Sequence, residues 1–270
     1  MSPVKSGVPL VPNFAAVRDH WLGGSHSTPA DRELAEQIMV CIPYLPYVVR
    51  SQRAFLRRAA QYLVETGVRQ FVDLGSGLPT AGNVHEVVQK LDPEGRVVYV
   101  DSDPAVVSEG RAMIADSVNT AFVCADFLRP EAVLAAPELR ALLDLDEPVA
   151  VFMIDVLHHI SDSDNPAAVI AAYVDMMCPD SHVALSHLGQ DEALIDGLAM
   201  FRRMYDTPPP TVHLRNSQQI ADLLAGLDLV EPGIVPLPLW HHAPHADSDL
   251  DRKPDIFPGY AALGRKPAFP

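Results

Sequence analysis

From residue 70 onward, short unbroken apolar runs alternate with segments of helical period. The runs are 70–74, Arg96-Val97-Val98-Tyr99-Val100, Thr120-Ala121-Phe122-Val123-Cys124, residues 149–154 and His182-Val183-Ala184-Leu185-Ser186. Helical patterns fill about 83–90, 104–115, 130–143 and 165–177. Strands that are apolar throughout, rather than at every second residue, are buried on both faces. Alternated with helices they predict an α/β fold with a mostly parallel, Rossmann-like sheet.

The flanks break this alternation. Residues 1–30 have little period, yet they include Phe14, Trp21 and Gly23-Gly24, so the arm is expected to pack on the body. A helix opens at Ala30-Asp31-Arg32-Glu33, Pro43 and Pro46 interrupt it, and a second runs from Arg50 to Thr66 before Gly67. After the fifth run, residues 189–216 form an insertion. Its helix spans about Leu194 to Tyr205 and ends at Thr207-Pro208-Pro209-Pro210. A helix at about 217–226 follows. Leu227 to Pro236, with a turn at Pro232-Gly233, and Pro258 to Arg265 are expected to pair as an antiparallel hairpin at the sheet edge. The chain divides into an arm with helices (1–66) and a sheet domain (67–270) carrying a lid (189–216).

Composition narrows the partners. A net charge of −15 opposes nucleic acid and anionic membrane surfaces, both of which require basic protein. Arg50, Arg53, Arg57 and Arg58 fall at helical spacing and are expected to form a solvated face. Three dispersed cysteines, no signal-type apolar segment and no run of membrane-spanning length predict a cytoplasmic protein. A homodimer stays open. No metal is expected, because His241-His242-Ala243-Pro244-His245 has no regular ligand spacing.

The chemistry centres on Phe71-Val72-Asp73-Leu74-Gly75-Ser76-Gly77-Leu78-Pro79-Thr80, a strand running into a glycine turn and then a helix. Four strand ends carry an acid: Asp73, Asp101, Asp126 and Asp155. Asp101 lies one βα unit after the turn, where an acid can bind ribose hydroxyls. A dinucleotide turn has a third glycine, but Thr80 occupies that place. Asp73 would also repel a pyrophosphate. It suits a ligand with an ammonium group and no phosphate, which favours S-adenosylmethionine over NAD.

These residues resemble the first motifs of class I S-adenosylmethionine-dependent methyltransferases. The chain is most similar to a bacterial, actinobacterial-type S-adenosyl methyltransferase family once described as a domain of unknown function. The resemblance is carried by Leu22-Gly23-Gly24, Ala30-Asp31-Arg32, Arg53 to Arg57, Gln70 to Glu86, Val97 to Pro104 and Ser186-His187. Two departures lie in the arm, at Arg18-Asp19-His20-Trp21-Leu22 and Ser27-Thr28-Pro29. The resemblance implies seven strands with the last antiparallel. It also implies a cofactor, S-adenosylmethionine, that leaves as S-adenosylhomocysteine. It places Asp73 by the methionyl ammonium, Gly75, Ser76 and Gly77 against the ligand, Asp101 on the ribose, Ser102 and Asp103 beside the adenosine, and Asp126 and Phe127 at the adenine. Pro79, Thr80, Asn83 and His85 form an extended first loop that contacts the cofactor or caps its helix.

For catalysis, Asp155, His158 and His159 follow the fourth strand, where substrate-facing residues stand in such folds, and Asp155 is also a candidate cofactor ligand. Trp21 and His187 are candidate acceptor-binding residues, and Trp240 a further candidate wall. The expected function is methyl transfer to a small-molecule acceptor. The alternatives are a non-catalytic S-adenosylmethionine-binding protein and an NAD-dependent oxidoreductase.

Overall fold

The structure, a computed structural model, describes residues 12–80, 82–206, 211–241 and 257–268. Five parallel strands form its centre: β1 (Gln70–Leu74), β2 (Arg96–Asp101), β3 (Thr120–Cys124), β4 (Val149–Met153) and β5 (His182–Leu188). Three further segments, β6 (Asp228–Leu229), β7 (Val235–Pro236) and β8 (Gly259–Arg265), complete an 8-stranded sheet of order β3-β2-β1-β4-β5-β8-β6, with β7 also on β8. The chain leaves β1 in both directions, to β2 on one side and β4 on the other. That reversal opens a crevice at the carboxyl ends of these strands.

Both sheet faces are dry, as the unbroken apolar runs require. One face packs Phe71, Val97, Tyr99 and Phe152 against α1 (Phe14–Trp21), α2 (Pro29–Cys41) and α3 (Leu45–Glu65). On the same face lies α4 (Val84–Leu91). The other face packs Val72, Val98, Val151 and Leu185 beneath α6 (Pro130–Leu134), α7 (Pro137–Leu142), α8 (Pro166–Met176) and α10 (Ser217–Leu223). α5 (Pro104–Met113) follows β2, and α9 (Glu192–Met204) follows β5.

Three expectations change. Pro46 does not break a helix; it sits in the first turn of α3, where a missing N–H costs nothing, so α3 begins at Leu45. The helix expected over 130–143 is two, because Pro137 holds Ala136 extended (φ −58°, ψ 132°) between α6 and α7. The antiparallel pair exists, but β8 lies inside the sheet between β5 and β6 and is separated in sequence from its partner by a long connection. Pairs Leu229↔Gly264 and Val235↔Ala261 show that the residues around Pro232-Gly233 bulge out of the sixth strand. The proline run 207–210 and the histidine-rich stretch from His242 lie outside the described residues. Among the described residues, no helix is long and apolar enough to cross a membrane.

The arm is tied down at the N-terminal end of α1 by two contacts of its N-cap residue, Asn13. The Asn13 N–H donates to Asp31 Oδ1 at 2.7 Å, and Asp31 itself closes a capping box with Thr28. The Asn13 side chain donates to Asp103 Oδ2 at 2.8 Å, which pins α1 over the end of β2.

α9 closes over β5 because Gly197 lets it touch the end of α2. A Cβ at Gly197 would stand 2.8 Å from the Cys41 carbonyl oxygen and 2.5 Å from Ile42 Cγ1. Helix propensity alone predicts that Gly197→Ala stabilises the protein by about 1 kcal/mol. Overpacking against backbone opposes it, and we expect a net loss of about 1–2 kcal/mol in urea unfolding.

Candidate active site

A cavity of about 400 Å³ opens at the carboxyl ends of β1, β2, β4 and β5, beneath α1, the start of α3, and α9. Gly75, Ser76, Gly77, Asp101 and Asp103 line one side; Asp155, Val156, His158, His159 and Leu188 line the other. Gln52 and Arg53 of α3 stand between them.

The glycine turn is shaped by backbone that other residues would resist. Gly75 and Gly77 both lie in the left-handed region, at φ 61° and 62°, and a Cβ on Gly75 would meet Val156 Cγ1 at 2.5 Å. Asp101 braces the turn: its Oδ2 accepts from Gly77 N at 3.0 Å and its Oδ1 from Asp103 N at 2.9 Å. Asp103 in turn caps α5 by accepting from Ala105 N at 2.8 Å.

Below the turn, Asp73, next to last in β1, is buried. Burial pushes its carboxyl up to about 7, against the opposing pull of the Arg53 and Arg18 guanidinium groups. Arg53 is half-buried as a whole, but its Nη1 is shut away from solvent with no protein partner. Burial, then the nearby Arg18 charge, lowers it to about 10.

Opposite, Asp155 gathers four elements. Its backbone sits at φ 64° and its N–H donates to Ser186 Oγ of β5 at 2.9 Å. Arg18 of α1 reaches Oδ2 at 2.6 Å, Gln52 of α3 donates Nε2–H to Oδ1 at 2.5 Å, and His158 Nε2 lies 3.4 Å from Oδ1. The His158 ring is buried. Desolvation, helped by His159 and His187, drives its pKa well below the ordinary histidine value, so it is neutral. Nε2 is the ring nitrogen turned toward Asp155, and Nδ1 is enclosed without a partner. Gln52 Oε1 and Trp21 Nε1 are likewise enclosed and unpartnered.

The cavity therefore unites Trp21, Gly75, Ser76, Gly77, Thr80, Asp101, Asp103, Asp155, His158 and His159 of the expected set. Others stand elsewhere. Pro79 is buried behind the turn. Asn83 donates to the Leu78 carbonyl at 3.3 Å, and His85 Nδ1 meets the Tyr99 hydroxyl at 2.6 Å, so both fasten the loop from inside. Ser102 and Asp126 are exposed, and Asp126 turns back to accept from Leu128 N at 3.0 Å. Phe127 reaches to 3.8 Å from where a Gly75 Cβ would be, behind the turn. Trp240 is fully buried against Phe55 and Tyr62, away from the cavity. Among the described residues no cluster of His, Cys, Asp and Glu is arranged to hold a metal.

His187 is a correction. Its Nδ1 must donate to the Leu188 carbonyl (2.8 Å), so its Nε2 accepts from Arg215 Nη1 (2.8 Å). Burial, with Arg215 adding, lowers its pKa to about 4. Both ring nitrogens are engaged within the protein, and it does not reach the acceptor space. Arg18, Gln52 and Arg53 were not expected. Helical spacing predicts Arg53 on a solvated face, but the approach of α1 and α3 to the sheet turns these side chains inward.

A family model described as S-adenosyl methyltransferase matches residues 9–267. A DUF574 family protein from Streptomyces avermitilis is 36% identical, with a TM-score of 0.85, over 95% of this chain and 98% of that one. A protein from Thermobifida fusca, assigned provisionally as a methyltransferase, is 36% identical with a TM-score of 0.84, over 95% of this chain and 96% of its own. The mitomycin 7-O-methyltransferase MmcR shares only the fold, at 18% identity and a TM-score of 0.52 over 91% of this chain and 60% of that one. No curated protein matches the chain significantly.

Arg215 holds the loop that carries His158. Besides His187, it donates to the carbonyls of Leu157 (3.0 Å) and Ile160 (2.9 Å) and pairs with Asp162 at 2.7 Å. Arg215→Met leaves two buried carbonyls and an imidazole nitrogen unpaired. We expect a loss of about 3 kcal/mol in urea unfolding.

Proposed function

The chain belongs to the S-adenosyl methyltransferase family, its cofactor is S-adenosylmethionine and its reaction is methyl transfer; from that premise we propose a small-molecule acceptor and a division of the cavity between the two. The observation that carries the division is the enclosed, unpartnered Nη1 of Arg53 beside the glycine turn. A methionyl carboxylate satisfies it, and the ammonium of the same group faces the buried carboxyl of Asp73. Gly75 to Gly77 give the backbone room for close approach. Asp101 keeps lone pairs for ribose hydroxyls while it braces the turn.

S-adenosylmethionine supplies a methyl group on a positively charged sulfur and leaves as neutral S-adenosylhomocysteine. The protein contributes position and a base. His158 presents the Nδ1 lone pair to the proton that an acceptor sheds, and Asp155 fixes the tautomer and stabilises the imidazolium that forms. His159 is exposed and bonds the Thr211 carbonyl at 3.2 Å, so we assign it to the rim. The described part of the arm (12–30) and the described residues of the insertion, among them Leu194, Leu198 and Val212, act as covers that exclude water. Free, dispersed cysteines support a cytoplasmic setting.

Calorimetry on the full chain tests the cofactor site. S-adenosylmethionine and S-adenosylhomocysteine should bind and NAD should not; NAD binding alone would sink the reading. Binding near pH 7 should release a proton, because the ligand ammonium pulls down a carboxyl that burial had raised to about 7. Affinity therefore rises as pH rises through about 7, and Asp73→Asn abolishes the release. The unliganded protein shows the opposite trend. A carboxyl raised from 3.8 to about 7 adds stability that is complete below pH ~4 and lost as pH rises through 7.

Arg53→Ala should weaken S-adenosylhomocysteine by about 1.5–3 kcal/mol. It should leave 5′-methylthioadenosine, which lacks the carboxylate, nearly unaffected. Equal losses for both ligands would place Arg53 away from the methionyl end.

A further inference from the structure

We infer that the acceptor is an uncharged molecule with an apolar body that offers a hydroxyl-type polar group to Gln52, His158 and Trp21. This rests on the cofactor occupying the β1–β2 side of the cavity. One stripe of α3 runs the length of the site: Leu45, Val48, Val49, Gln52 and Arg53 follow the i, i+3, i+4, i+7, i+8 rule. At 1.5 Å per residue, Leu45 and Arg53 are about 12 Å apart along the helix. The Arg53 end faces the glycine turn and Asp73. The Leu45 end is closed by Ile42, Leu188, Leu194, Leu198 and Val212, a wall without a charged side chain.

The charges that border this space are either paired or turned away from it. Arg18 and Asp155 neutralise each other at 2.6 Å. Asp19 turns into the glycine loop of the arm, accepting from His26 N at 2.8 Å and lying against Gly24. An ionic acceptor group would enter an apolar chamber with no counter-charge to meet it, at a large desolvation cost. Asp19 Oδ1 is enclosed without a partner but is held against Gly24 of the arm; the other enclosed, unpartnered atoms on this side of the cavity are neutral. Gln52 Oε1 is free because its amide N–H is given to Asp155, which can only accept. Trp21 Nε1 is a donor, and His158 Nδ1 is an acceptor. A hydroxyl is both donor and acceptor and fits this set; its proton goes to His158 Nδ1 when its oxygen takes the methyl.

Calorimetry on the full chain saturated with S-adenosylhomocysteine tests the inference with three probes of one shape: 2-naphthol, 2-naphthoate and 2-naphthylmethylamine. We expect 2-naphthol to bind with one-to-one stoichiometry, at least about tenfold tighter than either ion. Leu198→Asp, with Val212→Asp as a second variant should the first misfold, should weaken 2-naphthol about tenfold or more while S-adenosylhomocysteine affinity stays within about twofold. Tighter or equal binding of an ion overturns the inference, as does no binding of 2-naphthol or indifference to both variants. Tighter binding of the amine would specifically turn Asp19 into the recognition group. Failure of S-adenosylhomocysteine itself to bind is a separate result, which removes the cofactor reading and this inference with it.

Discussion

The carboxylate of Asp155 is the joint on which the site depends. It stands where β4 ends, and its own backbone takes a left-handed conformation that costs a non-glycine residue on the order of 1–3 kcal/mol. Aspartate tolerates that conformation better than most residues. The same geometry carries its N–H to Ser186 on β5 and its side chain to Arg18 on α1, Gln52 on α3 and His158 on the following loop. One group thus holds the arm, the long helix and the candidate base in a single arrangement. It also decides which ends of Gln52 and His158 remain open to a ligand.

Charge within the cavity follows from that joint. Arg18 is matched by Asp155, whereas Arg53 and Asp73 sit close enough to shift each other without closing a bond. The matched pair lies toward the apolar roof and the unmatched groups lie under the glycine turn. The methionyl zwitterion we propose for the cofactor complements the second arrangement, and the first is already neutralised within the protein. The net charge of −15 has no part in this division; it belongs to the surface, where carboxylates greatly outnumber basic groups.

The sheet was legible in the sequence because its strands are buried on both faces, so that each becomes an unbroken apolar run independent of its neighbours. The glycine turn and its acids were legible because their chemistry is local to a few residues. The inward residues of the arm and α3 were not. Arg53 shares helical spacing with Arg50 and Arg57, which are exposed, and only the docking of α3 on the sheet distinguishes them. His187 looked reactive by its position after β5, but position could not show that Arg215, from beyond the insertion, would occupy its Nε2. Asn83 and His85, expected in an extension of the first loop, stand just before α4 and in its first turn. Their immediate partners prove internal: the Leu78 carbonyl and the Tyr99 hydroxyl.

The unsatisfied groups make a last physical point about the cavity. Trp21 Nε1, Gln52 Oε1, Arg53 Nη1 and His158 Nδ1 are all enclosed without protein partners, and all four residues line one chamber. An enclosed polar group left unpaired costs about 1–3 kcal/mol, so a cluster of them works against stability in the empty protein. Ligands that satisfy these atoms regain that free energy on binding. The donors and acceptors are already fixed by Asp155 and by the packing of α1 and α3, so little ordering has to be done when a ligand enters. The strained joint and the orphaned atoms are then two sides of one arrangement: stability is given up at the strand end so that the site is rigid and polar in the right places before anything binds.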